Sequence, residues 1–563
     1  MRESICTCLI LVTILTSITS LSVGQSVIGK VIKPDQNSIS GGAGFVGTFY
    51  HVQGIEARRD PFYWQFNANL NISTNGISIP FSATLSQQQR SFTQPFNQFG
   101  LSPKYKSFKA HLGFRSMRFS EFSLNGNQFM GLGVEFAPEK GIVSGKVLIG
   151  RFAKAVDGYY SDGLVIGTPS FERWGYGANL IIGTQKNNLG IVFFRAKDDE
   201  QSIPNFENDA TVKPGQNLIV GFNTKQKISK NWTFDAEIDW SAYTSDTRVP
   251  ESVVEGYSYI NNLGSLFYAN STSSFSKALN ANLTYKNKVL TTKIAYRRID
   301  PDYKTMGSVY LNNDFEDVTA KLSFKLFQNK VMLSGSGGFQ RNNLDDSKLT
   351  EMIRVIGSVS GSYVPNERWN FSTSYANYNT QTRMSLVSTS IVEDTLRYAQ
   401  VTKNTSLRAT RNLKFGKNRG TIFAMVNYQN AKINGDNNTE FKGASLGFNY
   451  SVTALKLNVA LSLSANENST PTTAIVALGP NLAVSKSILH SKVNITWANS
   501  VLQSYSFGED SGLIINSKFA AKYKINKAHS LFSSIGLAQR NDPSKTYTEF
   551  IGTLGYKYNF RKP

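Results

Sequence analysis

The residues of this chain that could do chemistry are four histidines and a set of carboxylates and cations that recur at alternate positions. A histidine acts as a general base for a serine or aspartate nucleophile only beside a hydroxyl or carboxylate partner. His51, His111, His490 and His529 have no acidic neighbour at the spacing of a strand pair, which leaves only a partner from an adjoining strand. His529 follows one tight turn, which puts it on the periplasmic side, His490 lies near another, and His51 and His111 fall in the N-terminal part that is hardest to assign. No His and carboxylate cluster has metal-ligand spacing, and Asp235, Glu237 and Asp239 sit within a strand rather than on a calcium loop. Gly131 and Gly133 alternate within a strand, where they permit close packing and do not cradle a phosphate. The expectation is therefore of no catalytic residue, no cofactor and no metal.

What remains are charged side chains that must be held in place by strands. In Trp232-Thr233-Phe234-Asp235-Ala236-Glu237-Ile238-Asp239-Trp240 every even residue is apolar and every odd one polar. Side chains alternate across a strand, so one face suits hydrocarbon and the other water. The pattern returns in Leu279, Ala281, Leu283 and Tyr285, in Val318, Ala320, Leu322, Phe324 and Leu326, and in Leu457, Val459, Leu461 and Leu463. With 40% hydrophobic and 12% aromatic residues and 16 prolines in 563 residues, the chain is not a disordered one.

The N-terminus reads as a signal peptide over 1–24: Arg2 gives the positive start, Ile5 to Ile18 the apolar stretch, and Ser22-Val23-Gly24 the cleavage site. Cys6 and Cys8, the two cysteines, fall inside it, so the mature chain would carry no disulfide and no thiolate chemistry. No later run reaches the roughly 18 apolar residues of a membrane helix. A membrane must be crossed by strands.

Three features separate a membrane barrel from a soluble sandwich. Tight turns at Lys186-Asn187-Asn188, Ser229-Lys230-Asn231, Lys286-Asn287-Lys288, Gln328-Asn329-Lys330 and Ile525-Asn526-Lys527-Ala528 alternate with longer loops. Aromatic residues recur beside those turns, at Trp232, Tyr285, Phe327, Tyr363, Trp369, Phe415, Tyr450 and Tyr523, as an interfacial girdle requires. The C-terminal strand ends with Gly555, Tyr558 and Phe560 at the spacing of the signal read by the barrel-assembly machinery of Gram-negative outer membranes. The expected fold is all-β, a single closed antiparallel transmembrane β-barrel of about 24 strands (about 22–26) in the outer membrane. It is expected over 62–563, after a periplasmic or lumenal segment at 25–61. Residues 40 to 126 are hardest to assign: Pro80 interrupts an alternating run, and Gly42 to Gln53 reads as an extra strand or an inward-folded segment.

The inward face carries Lys293 and Arg297, Lys321 and Lys325, Arg408 and Lys414, then Lys518 and Lys522, against the acidic Asp235, Glu237 and Asp239. With a net charge of +21, cations dominate, and a cation-lined lumen concentrates anions. The alternatives are lysines at the lipid phosphate level, such as Lys286, Lys288, Lys330 and Lys527, and lateral charge pairs that hold the wall in shape. Basic residues spread around a barrel are not a nucleic-acid face. A lumen this wide calls for occlusion, by 25–61 or by an inward segment near 87–105. Two functions follow: passage or capture of a polar or anionic solute through a plugged or gated lumen, or a non-transporting scaffold barrel with accessory proteins in a secretion or biogenesis assembly.

Arg58-Arg59-Asp60-Pro61-Phe62, Gln94-Pro95-Phe96-Asn97-Gln98-Phe99-Gly100-Leu101-Ser102-Pro103 and Phe114-Arg115-Ser116-Met117 resemble a family of large barrels of unassigned function among Bacteroidota outer-membrane proteins. The resemblance implies location and fold, with membrane lipid and the assembly machinery as partners, and no particular solute.

Overall fold

A computed structural model describes residues 37–87, 97–161, 164–166, 168–206, 209, 211–256, 261, 263–385, 395–433, 437–541 and 546–562. The expected signal peptide over 1–24, residues 25–36 and residues 88–96 of the segment near 87–105 lie outside the described residues.

All but two of the described strands form one antiparallel sheet that follows chain order; the exceptions, Tyr159–Ser161 and Leu164–Ile166, pair with each other in the connection between Val143–Ala153 and Glu172–Gly183. Ser38–Gln53 pairs on its other side with Tyr547–Lys562, from Ile39 opposite Lys562 to Gln53 opposite Thr548, and this closes the ring. Two short segments, Gln98–Leu101 and Lys104–Tyr105, share one position between Ile77–Ser86 and Phe108–Arg118. The 27 segments of the sheet therefore make a wall of 26 strands. At about 4.8 Å per strand and a tilt of about 40°, such a ring is roughly 50 Å across. No described helix is long and apolar enough to cross a membrane.

The barrel begins at Ser38, not at Phe62. Residues 38–53 are a wall strand rather than a periplasmic or lumenal segment. Their alternation is faint because Gly41, Gly42, Gly44 and Gly47 replace side chains that would mark the two faces. The close approach explains the first of these: a Cβ at Gly41 would lie 2.5 Å from the Asn69 carbonyl oxygen. Residues 98–105 are likewise wall, in two pieces. Pro80 fits its strand because the neighbouring strand is broken beside it at Ser102 and Pro103. The Pro80 carbonyl accepts Ser102 N–H at 2.9 Å, so the side on which proline lacks a donor faces that break.

Pairing parity fixes the two faces. Trp232, Ile238 and Trp240 share a face with Val220, Phe222, Ile191 and Ile149, many of them exposed, and this apolar face continues around the ring through Val318, Leu322, Val359, Leu463 and Leu554. A closed sheet with an apolar exterior leaves no free edge and no unpaired backbone in lipid, which is the architecture of an outer-membrane barrel. One connection, 245–272, folds over this exterior and packs Phe267 and Ala269 against Leu218 and Ala242.

Inside, the two halves differ. Every buried apolar side chain among the described residues lies between Tyr50 and Phe315; the strands from Val331 to Lys562 carry none.

Candidate functional site: a half-filled lumen

Two connections at the long-loop end turn into the barrel. The first, 119–124, joins Phe108–Arg118 to Asn125–Phe136; the second, 300–314, joins Leu290–Ile299 to Phe315–Leu326. Phe119 and Leu124 from the first and Met306 from the second pack on Leu148, Phe152, Val192, Phe194 and Ile219, all on the inward face. Phe122 and Tyr303 meet edge to face and are fully enclosed with Ala278, Ile299 and Phe315.

The acidic stripe of Trp232–Thr244 holds the first segment. Glu237 Oε1 accepts the backbone N–H groups of Glu121 at 2.9 Å and Phe122 at 3.2 Å, and Asp239 Oδ2 accepts the Ser120 hydroxyl at 2.7 Å. An irregular loop brought into a barrel must have its amides satisfied, and Glu237 does so for two of them. Arg297 bridges Glu121 at 3.4 Å and Asp317 at 2.9 Å. The second segment is tied to the first and to the wall. Tyr303 OH donates to Phe122 O at 3.0 Å, Asn125 N–H donates to Gly307 O at 3.0 Å, and Ser241 Oγ donates to Lys304 O at 2.6 Å. Burial, with the carboxylates of Asp239 and Glu237 adding to it, pushes the Tyr303 phenol well above its ordinary range, so it stays a donor. Gly307 is needed where the segments touch: a Cβ there would lie 2.6 Å from Ser123 O.

The residues singled out for the lumen all have inward parity, but they fall into two sets. Arg297, Glu237 and Asp239 belong to the filled side and are engaged in holding the inward segments, with Asp235 on the same stripe. Lys293 and Lys321 are direct cross-strand neighbours, with Lys325 nearer the tight turn. On the open side Arg408 lies over the Phe423 ring at 5.7 Å, Lys414 stands opposite Arg419, and Lys518 and Lys522 project from Glu509–Lys524. The wall between them is built from small and polar side chains, with Ala460, Ser462, Asn481, Ser500 and Lys518 lining a recess of about 430 Å³.

Trp232, Tyr285, Tyr363, Trp369, Phe415, Tyr450 and Tyr523 lie on the outward face beside tight turns. Trp232 and Tyr285 are cross-strand neighbours with ring centroids 5.0 Å apart. Phe327 is in its turn, at φ 51°, rather than on the strand before it. Tyr558 and Phe560 stack outward at 5.5 Å on the closing strand, and Gly555 faces inward beneath the Phe532 ring.

One histidine does have an acidic partner. His111 Nε2 lies 2.6 Å from Glu135 Oε1, on the diagonal of the adjoining strand, and its Nδ1 lies 3.3 Å from Ser102 Oγ. The sequence hid this because the partner is cross-strand, 24 residues away. Arg115 Nε donates to the same Ser102 oxygen at 2.9 Å, and Lys109 lies 3.3 Å from Glu135. Ser102 and His111 are both buried, the first in the break of the wall strand and the second on the next strand, Phe108–Arg118, so the network ties that break to its neighbour.

No family model and no curated protein matches this chain. Solved structures similar to it include the P pilus usher (PapC) translocation pore, at 10% identity and TM-score 0.36, covering 93% of this chain and 99% of that one. The ferric yersiniabactin uptake receptor FyuA from Yersinia pestis is similar at 7% identity and TM-score 0.35, covering 94% and 81%. The ferric enterobactin receptor PfeA from Pseudomonas aeruginosa, as a mutant, is similar at 8% and 0.38, covering 92% and 80%. Function has to be argued from the chain's own residues.

Proposed function

We propose that this barrel passes anionic solutes across the outer membrane along the open side of its lumen, with the two inward segments narrowing the other side. The observation that carries this reading is the like-charge pairing of the inward cations Lys293 and Lys321, which stand directly opposite each other, whereas Lys414, opposite Arg419, has Glu367 at 4.0 Å. Like charges at cross-strand positions destabilise a sheet, so a wall that keeps them needs mobile counter-anions. The acids of the filled side do not offset them, because Glu237, Asp239 and Asp317 are occupied by the inward segments and by Arg297.

The test is the reversal potential of the purified protein in planar bilayers under a KCl gradient. Chloride should be preferred over potassium, and the double variant Lys518→Glu/Lys522→Glu should lower the permeability ratio by about threefold or more, since rings of wall charge set selectivity. A channel that is unselective, or whose selectivity ignores these lysines, removes the reading.

A further inference from the structure

At the tight-turn end of the filled side, three neighbouring hairpins bring six lysines to one recess of about 690 Å³: Lys186, Lys225, Lys227, Lys230, Lys286 and Lys288. The lysine ion pairs of the described residues involve other lysines, at 109, 146, 197, 348, 414 and 442. Asp235 stands opposite Lys225 in register, yet one of its carboxylate oxygens is buried without a hydrogen-bond partner. The recess therefore gathers six lysines of which none makes an ion pair among the described residues, with Asp235 the one acid in register with them.

Its position separates it from the lipid phosphate level, where turn lysines of a barrel are usually satisfied. Lys225 shares a face with Asp235, and Thr233 and Lys286 also have inward parity, so the recess opens to the lumen mouth. The rest of the lining is Gln185, Asn231, Thr233 and Asn287, which supply amide and hydroxyl donors and no apolar or aromatic surface. Ammonium groups on flexible stems, without the planar fork of arginine, suit an anion that presents many oxygens in no fixed plane.

We propose that this recess binds a compact multivalent oxyanion of the polyphosphate type at the periplasmic mouth. The site deepens the anion-passage reading and rests on it, since it would load or retain such a solute at one end of the pathway. The same phosphate chemistry is available from a soluble polyanion or from a lipid headgroup.

Inorganic tripolyphosphate is the probe, titrated calorimetrically into the full-length protein in nanodiscs of phosphatidylcholine. Binding should be saturable, should exceed that of sulfate, and should weaken about tenfold or more in Lys186→Gln/Lys227→Gln/Lys230→Gln. The control Lys456→Gln/Lys492→Gln/Lys527→Gln removes the same charge from turns of the open side and should leave binding unchanged. These turn residues are exposed, and heat-modifiable migration on gels checks that each variant folds. Loss of tripolyphosphate binding in nanodiscs containing phosphatidylglycerol assigns the site to a headgroup; retention assigns it to a soluble polyanion. Absent binding, or equal weakening by both triple variants, overturns the site. Anion selectivity measured on the same wild-type sample tells the two failures apart: if selectivity persists without binding, only the site is lost, and if both vanish, the pathway reading goes as well.

Discussion

The arc from Phe108 to Phe315 and the arc from Val331 to Lys562 share one exterior pattern and have opposite interiors. In the first, inward side chains such as Phe152, Val192 and Phe194 are fully enclosed against two inward segments. In the second, most inward positions are serine, asparagine, alanine, glycine and cations that face open space, with isolated rings such as Phe423 and Phe441 between them. The lesson is that the lipid dictates only the outer face of a barrel strand. The inner face follows whatever the lumen contains at that angle, so one closed sheet can be a packed core on one side and a channel wall on the other.

The sharpest way to break this comparison is to empty the filled side. Replacing 119–124 by a short Gly-Ser turn removes Phe119, Phe122 and Leu124 and leaves the acids at 237 and 239 free. Single-channel conductance should rise, by roughly twofold or more, because the open cross-section of a pore sets its conductance. An unchanged conductance would mean that the segments do not bound the pathway.

A matched pair of truncations sharpens it next. Phe122→Ala removes a ring with no exposed surface and should cost about 3–5 kcal/mol. Phe441→Ala removes an inward ring of the open side that is 36% exposed and should cost about 1 kcal/mol. Urea midpoints of refolded protein compare the two; equal losses would erase the distinction between the halves.

The smallest effect concerns the connection 245–272. Arg248, through its hydrogen bonds at 2.9 Å, holds the Asp246 carboxyl below its ordinary range. A depressed carboxyl contributes stability that is fully present above its unfolded value and is lost as pH falls through its folded value. The protection factors of the amides at 245–256, which compare exchange with the intrinsic rate at each pH, should therefore fall below about pH 4 and hold steady between about pH 5 and 8. Protection that is equally low at neutral pH would remove the ion pair from the account.

Much of this was legible in the sequence. Alternation, turn asymmetry and the aromatic positions announced a large barrel, and the inward parity of the lysines was readable from one strand at a time. The inward segments were not anticipated, although a signal existed. Ile191-Val192-Phe193-Phe194 is apolar on both faces, which a strand with water on one side does not tolerate. The acids at 235, 237 and 239 were read as lumenal charge when Glu237 accepts two backbone amides and Asp239 a serine hydroxyl of an inward segment. The lumen fillers expected from 25–61 and 87–105 include wall strands at 38–53 and 98–105, because glycines in one and prolines in the other blur a period of two.

The seam between Ser38–Gln53 and Tyr547–Lys562 fixes an order of events. These paired strands are separated by the whole of the remaining wall, so as the barrel assembles the first keeps an unsatisfied ladder until the last pairs with it. Loop-closure entropy falls most heavily on that single join. The ring is thus completed in one late zippering step, and a chain arrested short of its final strand is left as a gaping sheet with two adhesive margins.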